Sequence, residues 1–353
     1  MKIFYISYTR PEYPLNFVRI RGLRENGVEV VDAHIKDRGI RGLLQAAIFY
    51  RRNAKSTDAV MIGYDSPALV ILLWLVCRKQ LIYNAVLPVY ERVITSRKLA
   101  GQYSVKGAYY WVLDFLAGHL ASVILLESNH QIAYFCRLFL TSPKKCFRAW
   151  IGVDDQKFIY NPTQAKFERF TAIFRGQFLP EAGVEYVVQA AKILEGSEVD
   201  IILVGGGHGF EGVLKLIDQL KPKNLVSRFE YVSDAEMVEL MQKSHVSLGQ
   251  LADHPRLERT LPHKCFESLA LGLAYLTGRN AGVLELLKDG ETCITCNPAD
   301  ADDLAKKILW AKNNYTQVEK IAENGHQLYQ GTLTPRLLAK NILGEMQVIR
   351  QSS

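Results

Sequence analysis

Short apolar runs alternate with longer stretches of helical period along almost the whole chain. In the first half, the apolar runs predict strands at Lys2–Ser7, Val28–His34, Asp58–Tyr64, Gln80–Asn84 and Ser122–Glu127. Apolar positions three and four residues apart predict helices between these strands, at 14–26, 41–55, 67–79, 104–120 and 129–140. Strands that alternate with helices are typical of βαβ units, which build parallel sheets.

The second half repeats this alternation, with helical patterns in the gaps between strands. Its predicted strands are Thr171–Arg175, Asp200–Val204, Arg228–Val232, Val246–Gly249, Ala274–Thr277 and Cys293–Cys296. The alternation of strands and helices is interrupted once, over Ile151–Phe170, where polar and turn residues show little periodicity. We therefore expect an α/β protein with two Rossmann-like, doubly wound parallel-sheet domains, residues 1–158 and 159–334. A C-terminal helix within 335–353 would pack on either domain, and the two sheets would face each other across a ligand-binding cleft.

Charge is distributed unevenly between the two halves. The 353 residues contain 43 Lys and Arg against 36 Asp and Glu, a formal net charge of +7. Residues 1–155 carry 21 of the basic and 12 of the acidic residues, so the basic excess lies in the first half. This asymmetry predicts an anionic partner, either nucleic acid or a phospholipid surface. The chain has no nucleic-acid reader motif, so we expect no nucleic-acid partner.

The longest apolar run, Ala68–Cys77, is about half as long as the roughly 20 residues of a membrane-spanning helix. It predicts a buried helix. The first residues, MKIFYIS, start a strand at once and lack the pattern of a signal peptide. Six scattered cysteines fit a reducing compartment. Together these observations predict a cytoplasmic protein.

Three consecutive glycines form the first candidate site. Gly205, Gly206 and Gly207 follow a predicted strand and precede the helical run Phe210–Leu220. Such glycines let the backbone approach an anion, and the start of the helix supplies N–H donors. A plain tight turn between strand and helix gives the same pattern, so both interpretations stay open. Phe210 replaces the last glycine of G-x-G-x-x-G, which leaves a dinucleotide fingerprint unsupported.

A second candidate site lies in Arg256–Gly272, where a loop enters a helix. Lys264 and Glu267 are three residues apart and share a face at the start of this helix. One can neutralise a phosphate while the other accepts hydrogen bonds from the vicinal hydroxyls of a ribose. The alternative is a surface salt bridge between the two. Arg256 and Arg259 favour the anion site because they add positive charge just upstream.

From Thr260 to Ile308 the chain reads TLPHKCFESLALGLAYLTGRNAGVLELLKDGETCITCNPADADDLAKKI. This segment resembles the donor-site region of GT-B-fold nucleotide-sugar glycosyltransferases, and in particular the retaining family four, or group 1. The resemblance extends to Phe174–Leu194, to the LVGGGHG turn and to Ile151–Phe158. Four motifs in the same order are far more specific than any one alone. The first half resembles the family more loosely.

The resemblance implies sugar transfer from a nucleotide-diphosphate sugar to a hydroxyl of a glycan or a lipid-linked acceptor. It implies retention of configuration, and a reaction that needs neither a metal nor another cofactor. Glu267 would bind the donor ribose, the three glycines would line the nucleotide pocket, and Lys264 would lie near the phosphates. Gly282 and Val283 would meet the diphosphate or the sugar through backbone N–H groups.

Two departures from the family pattern concern charge. Gln177 and Ala182 occupy the positions of the basic pair that usually grips the diphosphate. Arg259 replaces a glutamate that usually touches the donor sugar. We expect Arg175, Lys264 or Arg259 to compensate for the missing basic pair.

A third departure is the segment Leu81–Pro88, which lacks the histidine of the family's catalytic region. Two alternatives therefore stay open. One is a catalytically inactive homologue that binds sugar nucleotides or glycans. The other is another GT-B nucleotide-sugar enzyme such as a 2-epimerase, which would need carboxylates and histidines clustered in the cleft for acid–base chemistry.

The first half holds the expected acceptor and membrane contacts. Arg10, His34 and Glu127 lie at or just after the ends of predicted strands, where contacts to an acceptor are expected from topology. Ile40–Lys55 is amphipathic and basic. In many members of the family such a face rests on an anionic membrane, which implies attachment to its inner face. The alternative is an ordinary sheet-covering helix with a solvated basic end.

Overall fold

The structure is a computed structural model that describes residues 1–352 and contains two six-stranded sheets. The chain divides into two units. The first contains Met1–Asp154 and the residues from Leu333 onward, and the second contains Asp155–Thr332. The division falls within the linker that the sequence predicts, a few residues before position 158.

The strands of the first unit are β1 (Lys2–Ser7), β2 (Glu29–His34), β3 (Ala59–Ile62), β4 (Gln80–Val86), β5 (Val123–Leu126) and β6 (Cys146–Arg148). Their order across the sheet is β2-β1-β3-β4-β5-β6, and every neighbouring pair is parallel. The order changes direction between β1 and β3. In doubly wound sheets, ligands bind at the carboxyl ends of the strands at this switch point.

The strands of the second unit are β7 (Phe170–Gln177), β8 (Val199–Gly206), β9 (Leu225–Arg228), β10 (Val246–Leu248), β11 (Ala274–Gly278) and β12 (Ile294–Cys296). Their order is β12-β11-β10-β7-β8-β9, again parallel throughout. The switch point of this sheet lies between β7 and β10. The predicted α/β class with two doubly wound sheets is confirmed.

Helices cover both faces of each sheet. They are α1 (Pro14–Glu25), α2 (Ile40–Asn53), α3 (Pro67–Val76), α4 (Val105–Leu120), α5 (Asn129–Phe139), α6 (Val184–Ile193), α7 (Phe210–Leu220), α8 (Asp234–Lys243), α9 (His263–Ala270), α10 (Ala281–Leu284), α11 (Ala301–Asn313), α12 (Tyr315–Leu328) and α13 (Pro335–Ser352). The final helix packs against α1 in the first unit.

Alternate residues of each central strand enter different cores. In the first unit, Phe4 and Val60 pack with residues of α2, α3 and α5, whereas Ile3 and Met61 pack with residues of α1 and α13. Because both faces are covered, strands such as β3 are buried along their whole length. This double burial explains why the strands appear in the sequence as continuous apolar runs.

The structure corrects one predicted strand. Arg228–Val232 is not a strand, because β9 ends at Arg228, which pairs with Val204 at the last register position shared with β8. The apolar Phe229 instead packs its ring 5.0 Å from the ring of Phe210 in α7. The apolar character that suggested a strand therefore comes from an aromatic cluster beside the loop.

The structure also corrects the interpretation of Ala68–Cys77. This segment is helical, as α3, but Trp74 is 51% exposed and Leu75 is 67% exposed. Only one side of α3 is buried, the side that contains Leu69, Val70 and Leu73. Within residues 1–352, no helix is long and apolar enough to cross a membrane.

The buried Asp114 of α4 should make the stability of the folded protein depend on pH. It is fully buried, and its Oδ2 accepts a hydrogen bond of 2.7 Å from the Tyr90 N–H. Burial raises the pKa of this carboxyl to about 7, although hydrogen bonds from the backbone of Tyr90 and Val89 oppose the shift. Between about pH 4 and pH 7 the folded state therefore binds a proton that the unfolded state has lost, so stability falls as pH rises.

We expect the free energy of unfolding to fall across this window by at most about 1.4 kcal/mol per pH unit from Asp114. Chemical denaturation of the wild type and of Asp114→Asn at pH 4.5, 6 and 8 measures this contribution. The variant should show a flatter profile. Parallel profiles for the two proteins would contradict the assignment.

Candidate functional site

The candidate site of the second unit begins where β7 and β8 end side by side. Gly176 pairs with Gly205, and Gln177 pairs with Gly206. Gly205 has a φ of +141°, and a Cβ at this position would lie 1.9 Å from the Gly176 carbonyl oxygen. No side chain fits there. The glycines predicted from the sequence therefore form the end of β8 and the turn into α7, with Gly207 at a φ of +110°.

Helix α9 places Lys264 over the end of β7. Its Nζ lies 3.5 Å from the centroid of the Phe174 ring and 3.2 Å from Oε1 of Gln250, just after β10. Its Cε lies 3.3 Å from where a Cβ on Gly176 would be. A side chain at Gly176 would crowd the lysine, so the glycine leaves room for it. The ammonium group thus lies at the switch point of the sheet.

Glu267, one helical turn further along α9, forms an ion pair with Arg175 at the end of β7. Glu267 and the Arg175 side chain are only 9% and 18% exposed. Burial lowers the pKa of Arg175 to about 10, and the charges of Tyr275 and Asp234 oppose this shift. Glu267 therefore forms a buried ion pair with Arg175. The alternative prediction, a surface salt bridge between Glu267 and Lys264, is wrong.

A second buried ion pair lies beside the first. Glu181, in a short 3₁₀ turn after β7, accepts from Arg256 at 3.0 Å. Burial holds the pKa of Lys264 well below its usual range, and the charge of Arg175 adds to this effect while Glu181 opposes it. Arg175, Arg256 and Lys264 thus lie in one buried site with the carboxylates of Glu181 and Glu267, and the charge of Asp234 also reaches Arg175. Basic side chains gathered at the end of β7 are suited to binding an anion.

Gly282 and Val283 lie in α10, where protein groups occupy the start of the helix. The Val283 N–H donates to Oδ1 of Asn280 at 3.0 Å, and the Ala281 N–H donates to Oε2 of Glu258 at 3.1 Å. A Cβ on Gly282 would lie 2.4 Å from the carbonyl oxygen of residue 257, so this glycine permits close packing of α10 on the preceding loop.

Arg259 lies in the same loop as Arg256. It is half-buried, and its backbone N–H donates to the Arg256 carbonyl at 2.9 Å. The structure thus brings together Arg175, Lys264 and Glu267, and it adds Glu181 and Gln250, which the sequence did not single out. No local signal marks these two residues, because topology alone brings the ends of β7 and β10 together.

The three candidate acceptor residues all lie at the carboxyl edge of the first sheet. His34 ends β2 opposite Ser7 of β1, Arg10 is exposed just after β1, and Glu127 is buried just after β5. Strands β3 and β4 separate β1 from β5, which places Glu127 roughly 14 Å along the edge from β1. The fold therefore does not bring Glu127 beside Arg10 and His34.

In the part of the chain from residue 1 to 352, no three His, Cys, Asp or Glu side chains gather as ligands for a metal ion. The charged groups of the second unit's site are instead two arginines, a lysine and two glutamates. Such a set fits an anionic ligand that also offers hydroxyl groups.

Residues 155–328, nearly the whole second unit, match the family model of group 1 glycosyl transferases. The second unit is a group 1 glycosyltransferase domain. The expectation that the chain is a glycosyltransferase is thereby confirmed. No curated protein matches the chain in sequence.

Solved glycosyltransferase structures share the fold of the whole chain. Anabaena HepE in complex with UDP-glucose has a TM-score of 0.73 and 15% identity, and the match covers 99% of this chain and 100% of that one. Sucrose-phosphate synthase from Thermosynechococcus elongatus has a TM-score of 0.75 and 11% identity over 100% of both chains. A glycosyltransferase from Rickettsia africae has a TM-score of 0.70 and 13% identity over 100% of this chain and 99% of that one. The GT-B fold is confirmed.

Proposed function

We propose that this glycosyltransferase moves a sugar from a nucleoside diphosphate sugar to a hydroxyl of a glycan or lipid-linked acceptor. The second unit would bind the donor and the first unit the acceptor. The observation that carries the proposal is the buried group of Lys264, Arg175 and Glu267 at the switch point of a group 1 domain. UDP-glucose is the first donor to test, because the similar HepE structure contains it.

Each residue of this group has a proposed role. The Glu267 carboxylate accepts from the ribose hydroxyls, and Arg175 neutralises its charge within the buried site. Lys264 faces the diphosphate. Gly205 and Gly207 leave the backbone open to close approach by the nucleotide.

The proposed chemistry breaks the bond between the anomeric carbon and the diphosphate oxygen and forms a bond from that carbon to the acceptor hydroxyl oxygen, whose proton passes to the leaving diphosphate. Positive charge develops on the sugar and negative charge on the leaving phosphate. Lys264 would stabilise that negative charge in a site where Gln177 and Ala182 supply none. We propose retention of configuration and independence from metal, as the resemblance to family four implies.

The position of Lys264 also favours the interpretation that the protein is an active enzyme rather than an inactive homologue. The ammonium group lies over Gly176, directly before Gln177, so a cation stands at the strand end where the family usually has one. The alternative of an epimerase would need acid–base groups at this site. The carboxylates present, Glu181 and Glu267, are both engaged by arginines.

Thermal shift with a panel of nucleotide sugars and their nucleoside diphosphates tests the donor assignment, because a ligand specific for the folded state raises the Tm. Release of nucleoside diphosphate from the donor that binds then tests turnover. Binding with no turnover against any glycan or lipid acceptor would favour the inactive homologue. No shift with any nucleotide would overturn the proposal.

We also propose that the first unit rests on an anionic membrane through α2. Ile40, Leu44 and Ile48 are 78%, 60% and 50% exposed and follow one another on one face of this helix. The opposite face, which contains Gly42, Ala46 and Tyr50, is buried. The exposed apolar stripe has basic neighbours that are also exposed, namely Arg41, Arg51, Arg52 and Lys55. Exposed apolar side chains with flanking cations are typical of helices that bind anionic lipid surfaces.

The double variant Arg51→Gln/Arg52→Gln should bind anionic vesicles about thirtyfold more weakly, since each cation near such a surface contributes roughly 1 kcal/mol. Flotation with vesicles that contain or lack phosphatidylglycerol measures the effect. Lys221→Gln/Lys223→Gln, which removes the same charge from the second unit, is the matched control. Equal flotation of all proteins, or none with either vesicle, would exclude membrane docking through α2.

A further inference from the structure

A buried carboxylate joins two arginines at the carboxyl edge of the first sheet. Oδ2 of Asp65 accepts from Arg38 at 2.8 Å, and its Oδ1 accepts from Arg92. Arg38 lies in the loop after β2, Asp65 in the loop after β3, and Arg92 in a π-helical segment after β4. Three consecutive loops thus converge on one carboxylate next to the switch point of this sheet.

The two guanidinium groups differ in how firmly their surroundings hold them. The Arg92 side chain is 20% exposed. Burial is the largest single effect and lowers its pKa, but the charge of Asp65, the hydrogen bond to Asp65, Tyr64 and Tyr110 together raise the pKa above its usual value. Arg38 is 64% exposed and lies 5.3 Å from the centroid of the Tyr8 ring. Arg92 is therefore a fixed cation, and Arg38 is a cation that can move toward a ligand.

The backbone at this edge is strained. Asp65 has a φ of +59° and Val86, at the end of the neighbouring β4, has a φ of +63°. A positive φ is a genuine outlier for a β-branched residue such as valine. The pairing of β4 with β5 also shifts register between Asn84 and Val86. Backbone strain of this kind clusters at ligand sites.

The charges of this cluster do not cancel. Two arginines share the carboxylate of Asp65, which is enough to orient both guanidinium groups. The buried Asp114, whose pKa is about 7, also acts on Arg92, so one positive charge is in excess while Asp114 is protonated. Each guanidinium has five N–H donors, and the hydrogen bonds to Asp65 together with the contact of Arg38 with the Tyr8 ring hold both groups at this edge. Helix α3 begins at Pro67, directly after this cluster, with no side-chain cap, so its N-terminal partial charge adds to the excess.

We infer that Arg38, Asp65 and Arg92 form a binding site for a phosphate group carried by the acceptor. This inference rests on the proposed function, since it names the chemical class of the acceptor. Asp65 presents the two guanidinium groups from adjacent loops, and together they can donate to several oxygens of a tetrahedral dianion. A carboxylate has only two oxygens, so the N–H donors of a single guanidinium group would be enough to bind it.

Titration calorimetry with inorganic pyrophosphate tests the site directly. All proteins would carry Lys264→Met, which weakens the anion site of the second unit equally in every protein compared. We expect Arg92→Gln to weaken pyrophosphate binding about tenfold and Arg38→Gln about fivefold, because each removes charged hydrogen bonds. Lys36→Gln, an exposed cation two residues from Arg38, is the matched control and should change the affinity less than twofold.

Equal weakening by Arg38→Gln and Lys36→Gln would show that only the net charge of this region matters, and it would overturn the inference. Absence of pyrophosphate binding would also overturn it. Because the Arg38 side chain is mostly exposed, Arg38→Gln stays informative even if Arg92→Gln fails to fold. Nucleotide binding, measured in proteins that retain Lys264, should be unchanged by Arg38→Gln, which separates failure of this inference from failure of the donor assignment.

A vesicle arm identifies the source of the phosphate. Phosphatidylcholine vesicles with and without a polyprenyl phosphate are compared with a soluble sugar 1-phosphate at equal phosphate concentration. Tighter binding to the doped vesicles that Arg38→Gln removes assigns a lipid-borne phosphate. Binding of the soluble phosphate alone, again lost in Arg38→Gln, assigns a water-soluble acceptor. Binding that Arg38→Gln leaves unchanged in both arms would contradict the site.

Discussion

Replacing Glu267 with glutamine is expected to weaken binding of the nucleotide donor about 10- to 100-fold. The carboxylate is buried and ion-paired with Arg175, so the variant leaves that arginine without the charge of its partner. Hydrogen bonds that involve a charged group contribute roughly 1.5–3 kcal/mol each, and the ribose would lose such bonds. Because both ground state and transition state contact the ribose, the loss should raise KM more than it lowers kcat.

Isothermal titration with the donor identified by thermal shift measures this effect. Glu239→Gln, an exposed carboxylate of α8 that pairs with Lys243 four residues away, is the matched control and should leave the Kd unchanged. The Tm of each variant shows whether the fold survives. Donor affinity that is unchanged in a folded Glu267→Gln protein would refute the assignment of this residue to the ribose.

The second large effect is on stability. Gly205→Ala should lower the free energy of unfolding of the second unit by about 3–5 kcal/mol, as expected for overpacking combined with an unfavourable φ. The added Cβ would lie 1.9 Å from the carbonyl oxygen of Gly176, so β7 and β8 would have to separate at the point where they form the site. We expect a fall in Tm of about 10 °C.

Gly212→Ala, in the adjacent α7, is the matched control. A Cβ at Gly212 would meet nothing within 4 Å, and alanine favours a helix by about 1 kcal/mol over glycine, so this variant should be as stable as the wild type or more stable. Thermal unfolding followed by circular dichroism compares the two. A Gly205→Ala protein as stable as Gly212→Ala would show that the strand ends tolerate a side chain.

Much of the fold was predictable from local pattern. The predicted strand Lys2–Ser7 and helix Phe210–Leu220 match β1 and α7 residue for residue, because β1 is a continuous apolar run and α7 repeats apolar residues at helical spacing. The short edge strand Cys146–Arg148 was missed, and Arg228–Val232 was wrong. Both lie at sheet edges, where the apolar pattern is weak and pairing with a neighbouring strand decides what is a strand.

The candidate site was predictable only in part. The spacing of Lys264 and Glu267 and the resemblance of the segment around them identified both residues. The sequence did not predict that Glu267 pairs with Arg175 or that Lys264 lies over Gly176, since these partners are about 90 positions earlier in the chain. Contacts of this range depend on the register of β7 against β10 and on the direction in which α9 crosses the sheet.

The sequence by itself therefore determined the class of fold, the alternation of elements and the family of the second unit, because periodicity and motif spacing are local properties of a chain. Only the tertiary structure decided which charges meet. Arg38, Asp65 and Arg92 come from three separate loops, and no spacing between them carries a signal. A parallel sheet brings the loops after its strands to one edge, and there the packing of side chains, rather than their order in the sequence, determines the chemistry.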